Sequence, residues 1–204
     1  MGFSLGTRLA LAGYHVLLGS RQGHKASEAA NRARAISGSR LIFGMENDAA
    51  ATESEIVIVA VPSLGHRSTV CMLAPVLKEK HVLDITVPIA FNPLRYAPPN
   101  EGSNALETER LLGGASSVAC GFHTVSSTIL SSNKKSPNVD TLIAGNNSEI
   151  KSFIMKMSKD IGIHAYDAGS LIMSPILEGL TPMLIGMNKK YGSNNMGIQI
   201  TGIS

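Results

Sequence analysis

The sequence predicts a doubly wound α/β protein with a mostly parallel sheet, and two observations carry that expectation. Short β-branched runs alternate with helical stretches along most of the 204 residues, the pattern of βαβ units. Apolar residues make up 44% of the chain and charged residues only 16%, with Ala, Val, Ile, Leu and Gly carrying the apolar share, as strands buried on both faces require. The length suits one principal domain and a small extra lobe. The net charge of +3 is small, and the basic residues form no stripe interleaved with aromatics, so no nucleic-acid partner is expected. No run reaches the roughly 18 apolar residues of a membrane span, and the N-terminus lacks the segments of a secretory signal; a cytoplasmic protein is expected. Cys71 and Cys120 lie far apart in apolar company and read as buried thiols, not a disulfide or metal pair.

The chain opens on a helix. Leu5, Leu9 and Ala12 recur at helical spacing, Gly13 stops the helix and Val16 begins a strand. A doubly wound fold places a strand and a glycine-rich turn ahead of that helix. Here only Met1-Gly2 precedes it, so the chain is expected to begin partway through its nucleotide-binding unit, with the first strand missing. Such a gap leaves unpaired ladder groups on two neighbours, each costing ~1–3 kcal/mol if buried, unless another element or a partner chain fills it. Strands are expected at residues 15–19, 41–44, 55–61, 81–87, 117–122, 140–144 and, more weakly, 164–167, with surface helices at 25–36 and 64–80. The proline-rich stretch 91–103 and the polar stretch 131–138 read as surface loops. Residues 171–190 are apolar on more than one side and carry Pro175 and Pro182. They read as a largely buried helical segment broken or kinked by proline, against the end of the sheet or a second subunit.

Three sets of strand ends carry chemistry. Gly19-Ser20-Arg21 closes the strand after the opening helix, where an acidic residue would accept from the 2′-hydroxyl of NAD and an arginine accommodates the 2′-phosphate of NADP. The position holds arginine. Ser20 can donate to a phosphate oxygen, Arg21 can bind two oxygens, and Lys25 adds a charge one turn on; the alternative is a solvated turn with ordinary surface cations. Gly2 and Gly6 read as a remnant of a G-x-G-x-x-G turn that cradles pyrophosphate. The pairs Val61-Pro62 and Val87-Pro88 close two further strands, either as an apolar rim for a flat ring or as plain strand stops. His123, in Gly121-Phe122-His123-Thr124, could bond a carbonyl or titrate near neutrality, or be structural. His66, His81 and His164 show no metal-ligand spacing and read as structural. No nucleophile elbow, zinc-binding pair or phosphate-binding Walker loop is present in the sequence.

In order, GSR, VP, DITVP, GFHT, DAG, LEGLTPMLIGMNKKYG and MGIQ resemble one family from about Gly2 to Ile200, that of the NADPH-dependent reductases of the deazaflavin coenzyme F420. The resemblance implies a Rossmann-type fold with a small C-terminal helical lobe, a homodimer, and hydride transfer between NADP(H) and F420. It implies residues 1–145 as the NADP-binding domain and 146–204 as the lobe on the deazaflavin side. By resemblance Ser20, Arg21 and Lys25 hold the 2′-phosphate and Gly2 matches the third glycine of the phosphate loop. Val61 and Pro62 line the nucleotide cleft, Val87 and Pro88 border the stacked rings, and His123 and Thr181 face the deazaflavin. The chain departs from the family in lacking the first strand and first two loop glycines, and in carrying Pro175 and Gly179 where the family often has arginine and serine. Two other readings stand beside this one: an NADP-dependent reductase of a small carbonyl or imine, or of ferric iron through a flavin, and a non-catalytic relic of the fold.

Overall fold

The computed structural model describes residues 1–132 and 137–203, so half of the loop expected at 131–138 lies outside the described residues. Helix α1 (Gly2–Leu11) leads into β1 (Val16–Ser20), α2 (Gly23–Ser37), β2 (Ile42–Glu46), α3 (Asn47–Glu53) and β3 (Ile56–Val59). A 3-10 turn and α4 (His66–Leu77) return the chain to β4 (His81–Asp84), followed by the β5 (Ile89–Phe91) and β6 (Leu94–Tyr96) hairpin and α5 (Asn104–Leu111). Then come β7 (Ser117–Cys120), α6 (Ser127–Ser131), β8 (Asp140–Gly145), α7 (Ser148–Asp160), β9 (His164–Asp167), a second 3-10 turn and α8 (Ser174–Tyr191).

The sheet is in two pieces. β3-β4-β7-β8-β9 form one piece, parallel except at the β7–β8 pair, while β1 and β2 form a separate parallel pair. Among the described residues no strand joins β1 to β3, so the expected gap is where the sequence places it. β9 lies beyond the boundary expected at residue 145 and is the outer strand of the main sheet.

Local sequence explains how the helices dock. α2 buries Ala26, Ala30 and Ala33, and these small side chains let its backbone approach β2. A Cβ at Gly44 would stand 2.1 Å from the Ala26 carbonyl oxygen, so only glycine fits there. α7 is capped by Asn147, whose side chain accepts from the amides of Glu149 and Ile150, and buries Ile150, Ile154 and Met157 against the sheet. α1 places Leu5 and Leu9 in the same core as Leu83, Phe122, Ile143 and Ile154. A second core on the opposite face joins Val70, Leu77, Val82, Cys120, Leu171 and Leu177.

Four expectations are corrected. The stretch 91–103 is not all loop, because its start completes the β5–β6 hairpin, which turns at a cis Asn92-Pro93 peptide. Residues 174–191 are one unbroken helix: Pro175 sits in the first turn, where its missing amide is not needed, and Pro182 is accommodated inside. Leu171–Tyr191, with mean hydropathy 1.2, is long and apolar enough to cross a membrane by length and composition. Only 33% of that span is buried, so the expectation of a largely buried segment is not met, although mid-helix Glu178 is fully buried and bonded to α5. Cys71 is exposed while Cys120 is buried, with burial pushing the Cys120 thiol pKa far up.

Candidate functional site

The residues singled out from sequence fall into two groups. Gly2, Ser20, Lys25 and Val61 line one cleft of about 910 Å³ between β1 and β3. Arg21 and Pro62, next in sequence to two of them, are exposed. At the end of β1 the Ser20 hydroxyl accepts from the Gln22 amide, and α2 begins at Gly23 with no side-chain cap on its first amides. Arg21 and Lys25 form no ion pair among the described residues, although both are long cations on one turn. The strand end is not wholly free of carboxylates. Glu46 on β2 stands opposite Ser20 in register, with its side chain against Gly23, an acid that local sequence around GSR does not reveal. At the start of α1, Met1 gives no side-chain cap and no acid occupies the first turn. Gly2 lies so close to β3 that a Cβ there would stand 2.8 Å from that of Ala60.

The second group surrounds the ends of β4 and β7. Pro88 is buried and Val87 half-buried, and His123 is 5% exposed with neither ring nitrogen in a well-formed hydrogen bond. Burial pushes the His123 pKa down to about 4, against the pull of the Asp84 charge, so the ring is neutral near pH 7 and the expectation of titration near neutrality is corrected. Thr181, on α8, donates its hydroxyl to the His123 carbonyl at 2.8 Å. The residue before His123 is under strain: buried Phe122 has φ 63, a left-handed conformation unusual for a bulky side chain. Such strain, of order 1–3 kcal/mol, persists where the surroundings over-determine it, and it clusters at binding sites. Thr141 holds it by accepting from the Phe122 amide at 2.7 Å.

Behind these residues lies a charged network that sequence reading missed. His66 Nε2 is 2.8 Å from Asp84 Oδ2 and Nδ1 is 3.1 Å from Glu107 Oε2, all three fully or nearly buried. Burial alone would lower the His66 pKa, but hydrogen bonds and charge from Asp84, then Glu107, raise it overall. With a carboxylate at each nitrogen, the ring is an imidazolium with two donors. Burial would likewise raise Asp84, and His66 and then Thr86 hold it below the usual carboxylate range. Asp84 Oδ1 accepts from the amide and hydroxyl of Thr86, whose hydroxyl also accepts from Asn104. The network thereby fixes the backbone leading into Val87-Pro88. Its members are 18 and 41 residues from His66, so no local pattern announces it; the aspartate of DITVP was its one visible sign.

A second buried acid, Glu178 on α8, accepts from the amides of Asn104 and Ala105 at 3.0 and 3.1 Å and from the Tyr96 hydroxyl at 3.0 Å. Burial pushes its pKa up to about 8 despite those donors. It ties α8 to the first turn of α5 and to the β5–β6 hairpin.

A family model described as NADP oxidoreductase, coenzyme F420-dependent, matches residues 1–88. The F420-dependent NADP reductase of Methanocaldococcus jannaschii is 37% identical over 99% of this chain and 94% of its own length. The chain belongs to the F420-dependent NADP reductase family. The enzyme of that name from Methanothermobacter marburgensis is 32% identical with the same coverage. The fold matches the crystal structure of a proposed F420-dependent NADP reductase from Arthrobacter, with TM-score 0.82 and 20% identity over 98% of this chain and 95% of that one. Within the family's frame, the open cleft between β1 and β3 is bordered by the turn that carries Ser20, Arg21 and Lys25. Pro175 and Gly179, the two departures on α8, flank the buried Leu177 and Glu178. A Cβ at Gly179 would meet nothing within 4 Å.

Proposed function

We propose that this protein transfers a hydride between NADP(H) and the deazaflavin coenzyme F420. The observation that carries the NADP half is the pair of cations, Arg21 and Lys25, left without ion pairs beside the Ser20 hydroxyl at the end of β1. Two positive charges against the single acid Glu46 favour a dianionic 2′-phosphate over a neutral hydroxyl. Gly2 fits a phosphate contact, since its amide begins an uncapped helix. Val61 and Pro62 supply the apolar wall of the nucleotide cleft.

The deazaflavin half rests on His123 and Thr181. A buried, neutral imidazole with no well-formed hydrogen bond of its own fits a ring system rich in carbonyls and ring nitrogens. NADP(H) and F420 supply the hydride donor and acceptor carbons when both are bound. What this chain's residues contribute is position. Val87 and Pro88, fixed through Asp84 and His66, border the rings, while α8 and the hairpin keep water away. No side-chain acid or base is needed on the transferred atom. Residues 146–204 would form the deazaflavin side. Ile172 in the preceding 3-10 turn and Ile176, Met183 and Met187 on α8 leave an exposed apolar stripe that suits a homodimer contact. A cytoplasmic location fits free Cys71 and Cys120.

The test is a fluorescence titration with NADPH and NADH, followed by an F420 reduction assay. Arg21→Ala is expected to weaken NADPH binding by about 1.5–3 kcal/mol and leave NADH nearly unchanged; equal loss for both would refute the phosphate assignment. Replacement of His123 or Thr181 is expected to change the F420 KM or the transfer rate more than NADPH affinity.

A further inference from the structure

We infer, on the reading in which His123 faces the deazaflavin, that the segment after α8 is a strap over the His123 loop and that Asp140, where the strap is seated, is a positioning residue for His123. β7 and β8 pair antiparallel at Ala119 with Gly145 and at Cys120 with Ala144, and then part. Had the pairing run on in register, Thr124 would lie opposite Asp140. Instead Phe122 takes its left-handed φ of 63 and the chain leaves the sheet as a bulge, with His123 at its middle. The His123 ring has no well-formed hydrogen bond of its own, so the backbone of that bulge sets where the ring points.

The first two residues of β8 hold the bulge on both sides of His123. Thr141 Oγ1 accepts from the Phe122 amide at 2.7 Å, and the Asp140 carbonyl accepts from the Thr124 hydroxyl at 2.6 Å. The ladder place that Thr124 gives up is taken by the strap. The Asp140 amide donates to the Ile198 carbonyl at 2.9 Å in an antiparallel bridge, and the buried Asp140 carboxylate accepts from the Ile200 amide at 2.7 Å. Just before that bridge the strap runs against the loop itself. A Cβ at Gly197 would stand 2.3 Å from Val139 Cγ2 and 3.0 Å from the Thr124 carbonyl oxygen, so a side chain there displaces the strap. At the strap's other end the Met196 amide donates to Asn188 Oδ1 of α8 at 3.1 Å. α8 therefore grips the loop twice, directly through Thr181 on the His123 carbonyl and indirectly through the strap.

Apolar burial alone does not keep the strap in place, because Met196 and Ile198 are only half-buried and Gly197, Gln199 and Ile200 are exposed. Its bonds to Asp140 decide its position. A carboxylate accepting from an amide makes a stronger bond than a neutral acceptor, and the exposed His164, 3.9 Å from Asp140, adds little to it. Mere cover for a strand edge would run along the strand. Among the described residues the strap pairs with β8 at Asp140 alone, beside the bulge.

Three variants of the whole chain test this. Asp140→Ala removes the seat of Ile200, Asp140→Asn keeps a neutral acceptor there, and Gly197→Ala displaces the exposed strap while leaving β8 as it is, so it serves if Asp140→Ala fails to fold. Amide exchange without cofactors is read at Ile200, Phe122 and Val125, with Val82 and Leu83 of β4 marking the fold. Asp140→Ala and Gly197→Ala are expected to speed exchange about tenfold at all three amides, and Asp140→Asn by no more than about threefold, with β4 unchanged. In the reduction assay the first two are expected to raise the F420 KM about tenfold while kcat and the NADPH Kd change by less than about twofold, and Asp140→Asn to recover most of the loss. Faster exchange at Ile200 alone would mean that the strap does not hold the loop, and would overturn the proposal. So would an unchanged F420 KM in variants whose Phe122 exchange has risen, when His123→Ala does raise that KM. If His123→Ala leaves the F420 kinetics as they are, it is the site reading that fails, and the exchange results decide the strap by themselves.

Discussion

The two pieces of the sheet solve the same packing problem differently. In the larger piece β4 is buried over Val82–Asp84 between β3 and β7, and its terminal Asp84 is bonded to His66 and Thr86. In the smaller piece β1 pairs on one edge only, and its end carries exposed cations that form no ion pair among the described residues. One half commits its charges internally and becomes rigid. The other leaves them available, which is what recognition of an anion requires.

The difference can be broken most severely at Asp84. Asp84→Asn leaves the His66 imidazolium without its closest counter-charge in a fully buried site, and is expected to cost about 3–5 kcal/mol in urea unfolding. The fraction that stays folded should bind NADPH as before, since the other half supplies the phosphate turn; loss of affinity in that fraction would show that the halves are coupled. Gly44→Ala probes the smaller piece. Its new methyl collides with the Ala26 carbonyl, so α2 must shift, at an expected cost of about 1–3 kcal/mol. Amide exchange should rise in β1, α2 and β2 and stay unchanged in β4 and β7.

Titration separates the halves as well. Glu178, with a folded value of about 8 against an ordinary 4.5, binds more protons folded than unfolded between those values. Stability therefore falls as pH rises through that window. His66, raised above 6.5, contributes in the same direction: its stabilisation is present below 6.5 and is lost as pH rises through the folded value. Asp84, held low, acts oppositely and loses its contribution only as pH falls below 3.8. Thermal melts should thus show falling Tm above pH 4.5, and Glu178→Gln should flatten the portion between 4.5 and 6.5. An unchanged slope would mean that burial of Glu178 is relieved in solution. The smallest effect is expected at Glu46. Glu46→Gln removes the acid opposite Ser20 and should tighten NADPH by about twofold to fivefold, more at low salt, with no change for NADH.

Strands were legible wherever β-branched residues run together: all seven expected runs overlap an observed strand, and 164–167 matches β9 residue for residue. The gap beside β1 was legible too, because a doubly wound sheet has a fixed strand order. The hairpin at Ile89–Tyr96 was hidden because Asn92-Pro93 reads as a loop signal and each arm is only three residues long. Pro175 misled for a positional reason, since proline breaks a helix in the middle and suits its first turn. Of the residues singled out, Ser20, Lys25, Val61 and Gly2 line one cleft and Thr181 donates to the His123 carbonyl. The pairing of His66 with Asp84 and Glu107, and the burial of Glu178, were not legible because a buried charge is recognisable only from partners that are distant in sequence.

Arg8 gives α1 an anchorage of its own. Its guanidinium is buried, donating from Nε to the Ile161 carbonyl at 2.9 Å and from Nη1 to that of Ser132 at 3.1 Å, so the helix is moored at its far end to the loops after α6 and α7. A change in either loop therefore reaches the far end of α1 through a single guanidinium.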